Sequence, residues 1–450
     1  MTMRSTGRAF AFVAGLALLV AFSPRPAAAT TVLRASAIIP GAVDRSSLDL
    51  EATYAATVRL SFASRSFKVH VAATITNTSG GPIDRLELNT AAARLGQMRL
   101  TSTLVDEQPV AGRVNDQTII VPLGGVLPAG ATTVIRVKYA AILRTSLSGS
   151  SWLFTKANGI VNAYRWLPWV SRMTPFDRPN HGDPFVTPSS PHVRLTVITD
   201  RRLVLATTGD RVFASTDGLT QRFEARNVRD MTITAAPDFR SISARVGDTT
   251  IRYFYRSSTN ARATLDAAVS SFRAIQGRLG DYPYATFKVV QSAGGFGMES
   301  PQLIWVPYGL GSASLRYLVA HETAHQWFYG LVGNDQARQP FADEAAADFV
   351  ARFVTVGKRA SDCSTGRLDL AIYAYPATCY YERVYIQGGN LIDAARRQMG
   401  STAFWRALRG YVADNRYALV TNRTLLRALD DGTPLDLGAT LFAPRFPRIY

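Results

Sequence analysis

Leu318-Val319-Ala320-His321-Glu322-Thr323-Ala324-His325-Gln326-Trp327-Phe328 decides how the chain is read. Its apolar residues recur at helical spacing, which predicts a helix over Leu315–Leu331. Four residues turn a helix by ~400°, so His321 and His325 project from one face. Two imidazoles so placed can hold one Zn²⁺. Glu322 points elsewhere and can reach a water at the metal rather than the metal itself. The chain has only five His, and this segment holds two of them. The competing reading is a chance H-E-x-x-H on a solvated helix.

A third ligand weakens that competitor. Glu344 stands nineteen residues after His325, in Phe341-Ala342-Asp343-Glu344-Ala345-Ala346-Ala347-Asp348-Phe349. A second helix, expected over Phe341–Val356 and antiparallel to the first, can bring its carboxylate to the two imidazoles. Two His and one Glu leave one tetrahedral position open, the arrangement of a catalytic zinc. Asp348, one turn beyond Glu344, is placed to accept the free N–H of a ligand histidine.

These motifs resemble the gluzincin metallopeptidases. Gln326-Trp327-Phe328 narrows the resemblance to the aminopeptidase N-like family. Gly297-Met298-Glu299-Ser300-Pro301 resembles that family's Gly-x-Met-Glu-Asn segment, with Phe296 in place of the first Gly and Ser300 in place of Asn. The resemblance implies that Glu299, with Gly297 and Met298 beside it, binds the substrate's free α-ammonium. Tyr385-Ile386-Gln387-Gly388 is similar to the family's Tyr-x-Lys-Gly segment, with Gln387 replacing Lys. It implies that Tyr385 stabilises the oxyanion, with Tyr373, Tyr375, Tyr380 and Tyr381 as nearby competitors. The implied protein is a zinc aminopeptidase with one Zn²⁺ per chain and Glu322 as base toward a metal-activated water. Its substrates are peptides with a free N-terminus. Two alternatives stay open. One is a zinc hydrolase of the same fold without aminopeptidase specificity. The other is a catalytically silent binding protein.

Outward from the motifs, the texture of the chain changes near residue 245. Before it, short alternating runs such as Val58–Phe62, Lys68–Ile75, Thr133–Tyr139 and Val193–Thr199 predict strands. After it, helical spacing over Ala261–Leu279, Gly388–Gln398 and Ala403–Asp414 mixes with strands at Phe287–Gln291 and Leu303–Val306. The fold class expected is α+β and multidomain. Residues 30–244 form a β-sandwich-like domain and 245–450 a thermolysin-like mixed α/β domain. The family's large C-terminal helical domain is not expected. Six prolines between 166 and 191 predict an irregular surface loop.

Composition bounds the rest. Apolar residues make up 47% and charged residues 18%, which excludes intrinsic disorder. The formal charge is +17, but the Arg residues are scattered and only five of the fifty cations are Lys, so no nucleic-acid partner is expected. Arg4 and Arg8 precede the uncharged stretch Ala9–Phe22, then Pro24, Pro26 and Ala27-Ala28-Ala29. That is the pattern of a signal peptide over 1–29; an uncleaved anchor is its bland alternative. Cleavage after Ala29 removes three Arg and takes the charge from +17 to +14. The mature protein is then exported, to an extracellular, periplasmic or cell-envelope location, with no membrane span. Two cysteines, Cys363 and Cys379, are best read as one disulfide in an oxidising compartment.

Overall fold

Alternation of apolar and polar residues builds the first large element. In the computed structural model, which describes residues 2, 37–357 and 360–450, Phe67, Val69, Val71, Ala73 and Ile75 are buried along one strand while Lys68 and His70 face out. That strand, Ser66–Asn77 (β2), lies between Leu50–Leu60 (β1) and Thr132–Ile142 (β4), both antiparallel to it. Arg99–Val105 (β3), Val193–Thr199 (β5), Asp210–Ala214 (β6) and Thr220–Ala225 (β7) extend the sheet. The order is β6-β7-β5-β1-β2-β4-β3, ending in the two-residue strand Gln108–Pro109, and only β1 and β5 run parallel. Each fully buried large side chain contributes about 1.5–3 kcal/mol, so one inner row fixes the register strongly. The inner face is closed by rings from beyond the sheet. Phe154 and Trp166 meet Phe67 edge-on, and Trp169 stacks on Tyr54 at 4.4 Å. Two four-stranded sheets supply that cover, one of them containing Ile160–Ala163 and Ile233–Ala236.

The proline-rich segment 166–191 is irregular as expected, but it is not a surface loop. Trp166, Leu167, Trp169, Val170, Phe185 and Val186 are buried. Trp169–Val170 pairs with Ile83–Asn89, and side chains satisfy other backbone groups of the segment. Gln117 donates to the Thr174 and Pro184 carbonyls, and Ser171 to that of Val186. Prolines remove donors that would otherwise need partners, so this composition suits a buried loop too.

A mixed five-stranded sheet follows: Arg240–Val246 (β8), Thr249–Tyr255 (β9), Thr286–Gln291 (β10), Met298–Ser300 (β11) and Leu303–Val306 (β12), in the order β8-β9-β10-β12-β11. The strands β9, β10 and β12 are parallel, and β10 and β12 are continuously buried. Ala261–Leu279 (α1), Ser312–Ala324 (α2), Ala346–Thr355 (α3) and Gly388–Met399 (α4) are its main helices. The first has the predicted bounds. The second stops seven residues short of the predicted Leu331, because the chain turns: Gly330 N–H bonds the His325 carbonyl, and Tyr329 adopts φ 118°. The fold is α+β, with several sheets and a helical layer.

Among the described residues no helix is long and apolar enough to cross a membrane. Apart from residue 2, the expected signal peptide lies outside the described residues. Cys363 and Cys379 form the expected disulfide, closing a loop with a sequence separation of 16. Replacing both by Ser is expected to cost about 3 kcal/mol, read as a lower urea midpoint. An unchanged midpoint would mean that the bonds from Glu382 and Gln387 to Cys363 hold this loop alone.

Candidate metal centre

Helix α2 carries His321 and Glu322, and His325 caps it. The segment Phe341–Ala345 is a single π-helical turn leading into α3. The wider turn lets two consecutive carboxylates, Asp343 and Glu344, both face the histidines. His321 Nε2 and His325 Nε2 are 3.1 Å apart. Glu344 Oε2 lies 3.2 Å from the first and 3.3 Å from the second. Ligands bound at ~2.0–2.1 Å in tetrahedral directions stand about 3.3 Å apart, so this triangle fits one Zn²⁺. The donor set agrees: Glu344 Oε2 is buried and no hydrogen-bond donor reaches it.

The tautomer of His325 follows from its neighbours. Its Nδ1 faces two acceptors, Asp343 Oδ1 at 2.7 Å and the Phe328 carbonyl at 3.0 Å. The proton therefore sits on Nδ1, and Nε2 presents its lone pair to the metal position. Sequence reasoning gave this supporting role to Asp348. Instead Asp348 accepts the Tyr317 hydroxyl and pairs with Arg352 at 2.6 Å. The π turn brings Asp343 under the histidines, while Asp348, further along α3, meets its own i+4 partner. Asp348 is linked to the site through Tyr317, whose ring stacks on His321 at 5.9 Å.

The other expected residues gather here too. Glu299 is buried on β11, and its carboxylate, with Glu322 and His325, forms a second cluster within 4.8 Å. Gly297 approaches so closely that a Cβ there would lie 2.2 Å from Glu322 Oε1. Met298 is buried and pairs in the strand opposite Trp305. A second π segment, Glu382–Gln387, carries Tyr385, whose ring stacks on His321 at 5.6 Å. Burial, then Glu344, raises its hydroxyl well above the ordinary value. Of its competitors, Tyr373 donates away, to the Pro175 carbonyl.

Gln336, Arg165 and Asp183 had no signal in sequence: Arg165 and Asp183 lie far along the chain from the motifs they serve, and Gln336, though close to Asp343, is an ordinary amide. Gln336 Nε2 bonds Glu299 Oε1 at 3.0 Å and Asp343 Oδ2 at 2.7 Å, while its Oε1 accepts from Arg165 Nη2 at 2.8 Å. One buried amide thus joins the carboxylate of β11 to the one that orients His325.

The field at the site is acidic. Burial raises the Glu322 carboxyl well above its ordinary range. Burial, then Asp183, pushes Glu299 up to about 8. Asp183 is itself pushed up to about 7 by burial, against the pull of Arg178. Burial also acts to raise Glu344, but His325 and His321 outweigh it and hold that carboxyl well below its usual value. A buried excess of carboxylates with few cations is a place prepared for positive charge.

No known sequence-family profile matches the chain. Solved structures do match. A zinc metallopeptidase of the M1 family from Deinococcus radiodurans superposes with a TM-score of 0.68 at 18% identity, over 92% of this chain and 97% of that one. The fold is that of the M1 zinc metallopeptidases. A two-domain M1 variant bound to L-tryptophan matches with a TM-score of 0.67 at 18% identity, over 91% of this chain and 97% of that one. A variant of the Deinococcus radiodurans enzyme bound to a Tyr-Ser-Ala substrate matches with a TM-score of 0.64 at 18% identity, over 92% and 97%.

Asp343→Asn keeps the shape and removes the charge that orients His325. It is expected to weaken zinc binding about tenfold, measured by competition with a chromophoric chelator. An unchanged affinity would assign the orientation of His325 to the Phe328 carbonyl alone.

Proposed function

We propose that the protein is a zinc aminopeptidase, removing single residues from peptides with a free N-terminus. The observation that carries this reading is Glu299, a buried carboxylate beside the candidate ligands, with its carboxyl pushed up to about 8 by burial and then by Asp183. A substrate α-ammonium would add positive charge where the one cation at Glu299, Arg165, stands back at 3.9 Å. The peptide and amino acid held by the M1 structures of like fold support a peptide as substrate. The domain division at 244/245, and export after loss of 1–29, belong to the same proposal.

His321, His325 and Glu344 would hold one Zn²⁺ per chain. When bound, that ion polarises a carbonyl and lowers the pKa of a water toward ~7. Glu322 takes the proton of the attacking water at a carboxylate oxygen and passes it to the nitrogen of the departing amine. Tyr385 donates a hydrogen bond to the carbonyl oxygen as it gains charge. Glu299 holds the ammonium, so only the first peptide bond lies within reach of Glu322. Asp343 and Gln336 keep His325 and Glu299 at fixed positions.

The test is a panel of aminoacyl fluorogenic amides with and without chelator, beside their N-acetylated forms. Free amines should be cleaved, and the acetylated forms and the chelated protein should be silent. Equal cleavage of acetylated peptides would remove the role of Glu299 and leave a zinc hydrolase of another specificity. Glu322→Gln should retain zinc and lose at least ~10²-fold in kcat; native rates in that variant would exclude Glu322 as the base.

Gly297→Ala probes the same base through packing. The added methyl displaces the Glu322 carboxylate, its nearest neighbour. We expect kcat to fall on the order of 10²-fold with zinc content unchanged. A variant with native kcat would show that Glu322 works from another position.

A further inference from the structure

The outward face of the eight-stranded sheet collects cations that lie far apart in sequence. Arg59 on β1 pairs in register with Lys68 on β2, and Lys138 on β4 with His70 on β2. Arg136 lies on β4, Arg194 on β5 and Arg222 on β7, and all six cations are exposed. Only Arg136 of the six has an ion-pair partner among the described residues, Glu107 at 2.6 Å. Burial, then Lys138 and Arg59, holds His70 below its ordinary value.

The face is also shaped. An open trough of about 780 Å³ runs over Ala55, Thr57, Ala72 and Thr196. These small side chains form its floor, and Arg136, Lys138, Arg194 and Arg222 line it, with Glu224 as the one acid among its lining residues. Neighbouring strands are ~4.8 Å apart, so the four steps from Arg222 on β7 to Lys138 on β4 span about 19 Å. That is the footprint of an extended chain rather than of one small anion.

We propose that this trough binds an acidic polysaccharide, a glycan carrying carboxylate, sulfate or phosphate groups. Unpaired guanidinium and ammonium groups meet the anionic substituents, and the small-residue floor leaves room for sugar rings. Other polyanions fit less well. Single-stranded nucleic acid stacks its bases on aromatic platforms; the floor has none, and the one exposed ring at its wall, Phe213, carries the Arg222 guanidinium at 4.8 Å. An acidic peptide would bind at a strand edge or in an apolar groove, and this is the face of a sheet. A flat bilayer cannot reach the floor of a trough. The proposal is independent of the zinc-site reading, because binding is measured without catalysis.

The test uses the full chain, fluorescein-labelled heparin and anisotropy across a salt series. Neutral dextran, poly-glutamate, duplex DNA and phosphatidylglycerol vesicles are the comparison arms. The double charge reversal Lys138→Glu/Arg194→Glu should weaken heparin binding at least tenfold and lower the log–log salt slope by about two. The matched reversal Arg406→Glu/Arg423→Glu, at two exposed cations on other elements, changes net charge equally and should shift binding less than twofold. Equal losses in both variants would reduce the effect to net charge and overturn the site. Tighter binding of DNA, poly-glutamate or vesicles, abolished by the trough variant, would overturn the assigned occupant. Thermal midpoints and aminoacyl-amide hydrolysis of both variants, unchanged from the native chain, confirm that the fold is intact.

Discussion

Three buried ligand atoms sit 3.1–3.3 Å from one another: the Nε2 atoms of two imidazoles and one carboxylate oxygen. Bringing unpaired acceptors together in a buried site costs free energy unless a cation joins them. The protein must therefore hold the triangle by forces from outside it. Packing of α2 against α3 sets the approach, and the π turn Phe341–Ala345 sets which carboxylates face inward. The Asp343–His325 bond then fixes one ring, while the stacked rings of Tyr317 and Tyr385 confine the other. Every other feature of the centre follows from that constraint.

The β-rich first half contributes to the same constraint. Arg165, buried and stacked over Phe185 at 4.1 Å, supplies the cation nearest Glu299 and Asp230, at 3.9 Å from each. It also fixes the Gln336 amide, so the orientation of two site carboxylates depends on a residue from an early, irregular segment. Buried networks of this type are costly when one member is left unsatisfied. Arg165 immediately precedes the buried, proline-rich path of 166–191.

Much of this was legible in the chain, for reasons of period. Strands whose two faces differ in polarity declare themselves at period two, and α1, with one apolar side, declares itself at 3.6. His321, His325 and Glu344 were legible because metal ligation restricts both residue type and spacing. The misses have a common cause. Helix α2 ends early, and Asp343 displaces Asp348 in the supporting role, because π turns and irregular ends break the helical period on which the reading relied. Gln336, Arg165 and Asp183 are ordinary polar residues, and no motif marks them. The cations of the outer sheet looked scattered in sequence because strand pairing, not sequence proximity, assembles them.

The three departures from the aminopeptidase N-like motifs have partners of their own. Ser300 bonds Asp230 and Thr208, tying β11 to the β-rich half. Gln387 reaches away from the metal position, donating to Ser361 and the Cys363 carbonyl and accepting from Arg445. It therefore secures the loop that the disulfide closes. Phe296 lies against His181 at 4.5 Å and Trp152 at 5.7 Å, beside a loop that carries Asp183. In each case the side chain bonds or stacks on groups outside the ligand triangle. The three departing side chains serve the scaffold, while His321, His325 and Glu344 bring their ligand atoms to one point.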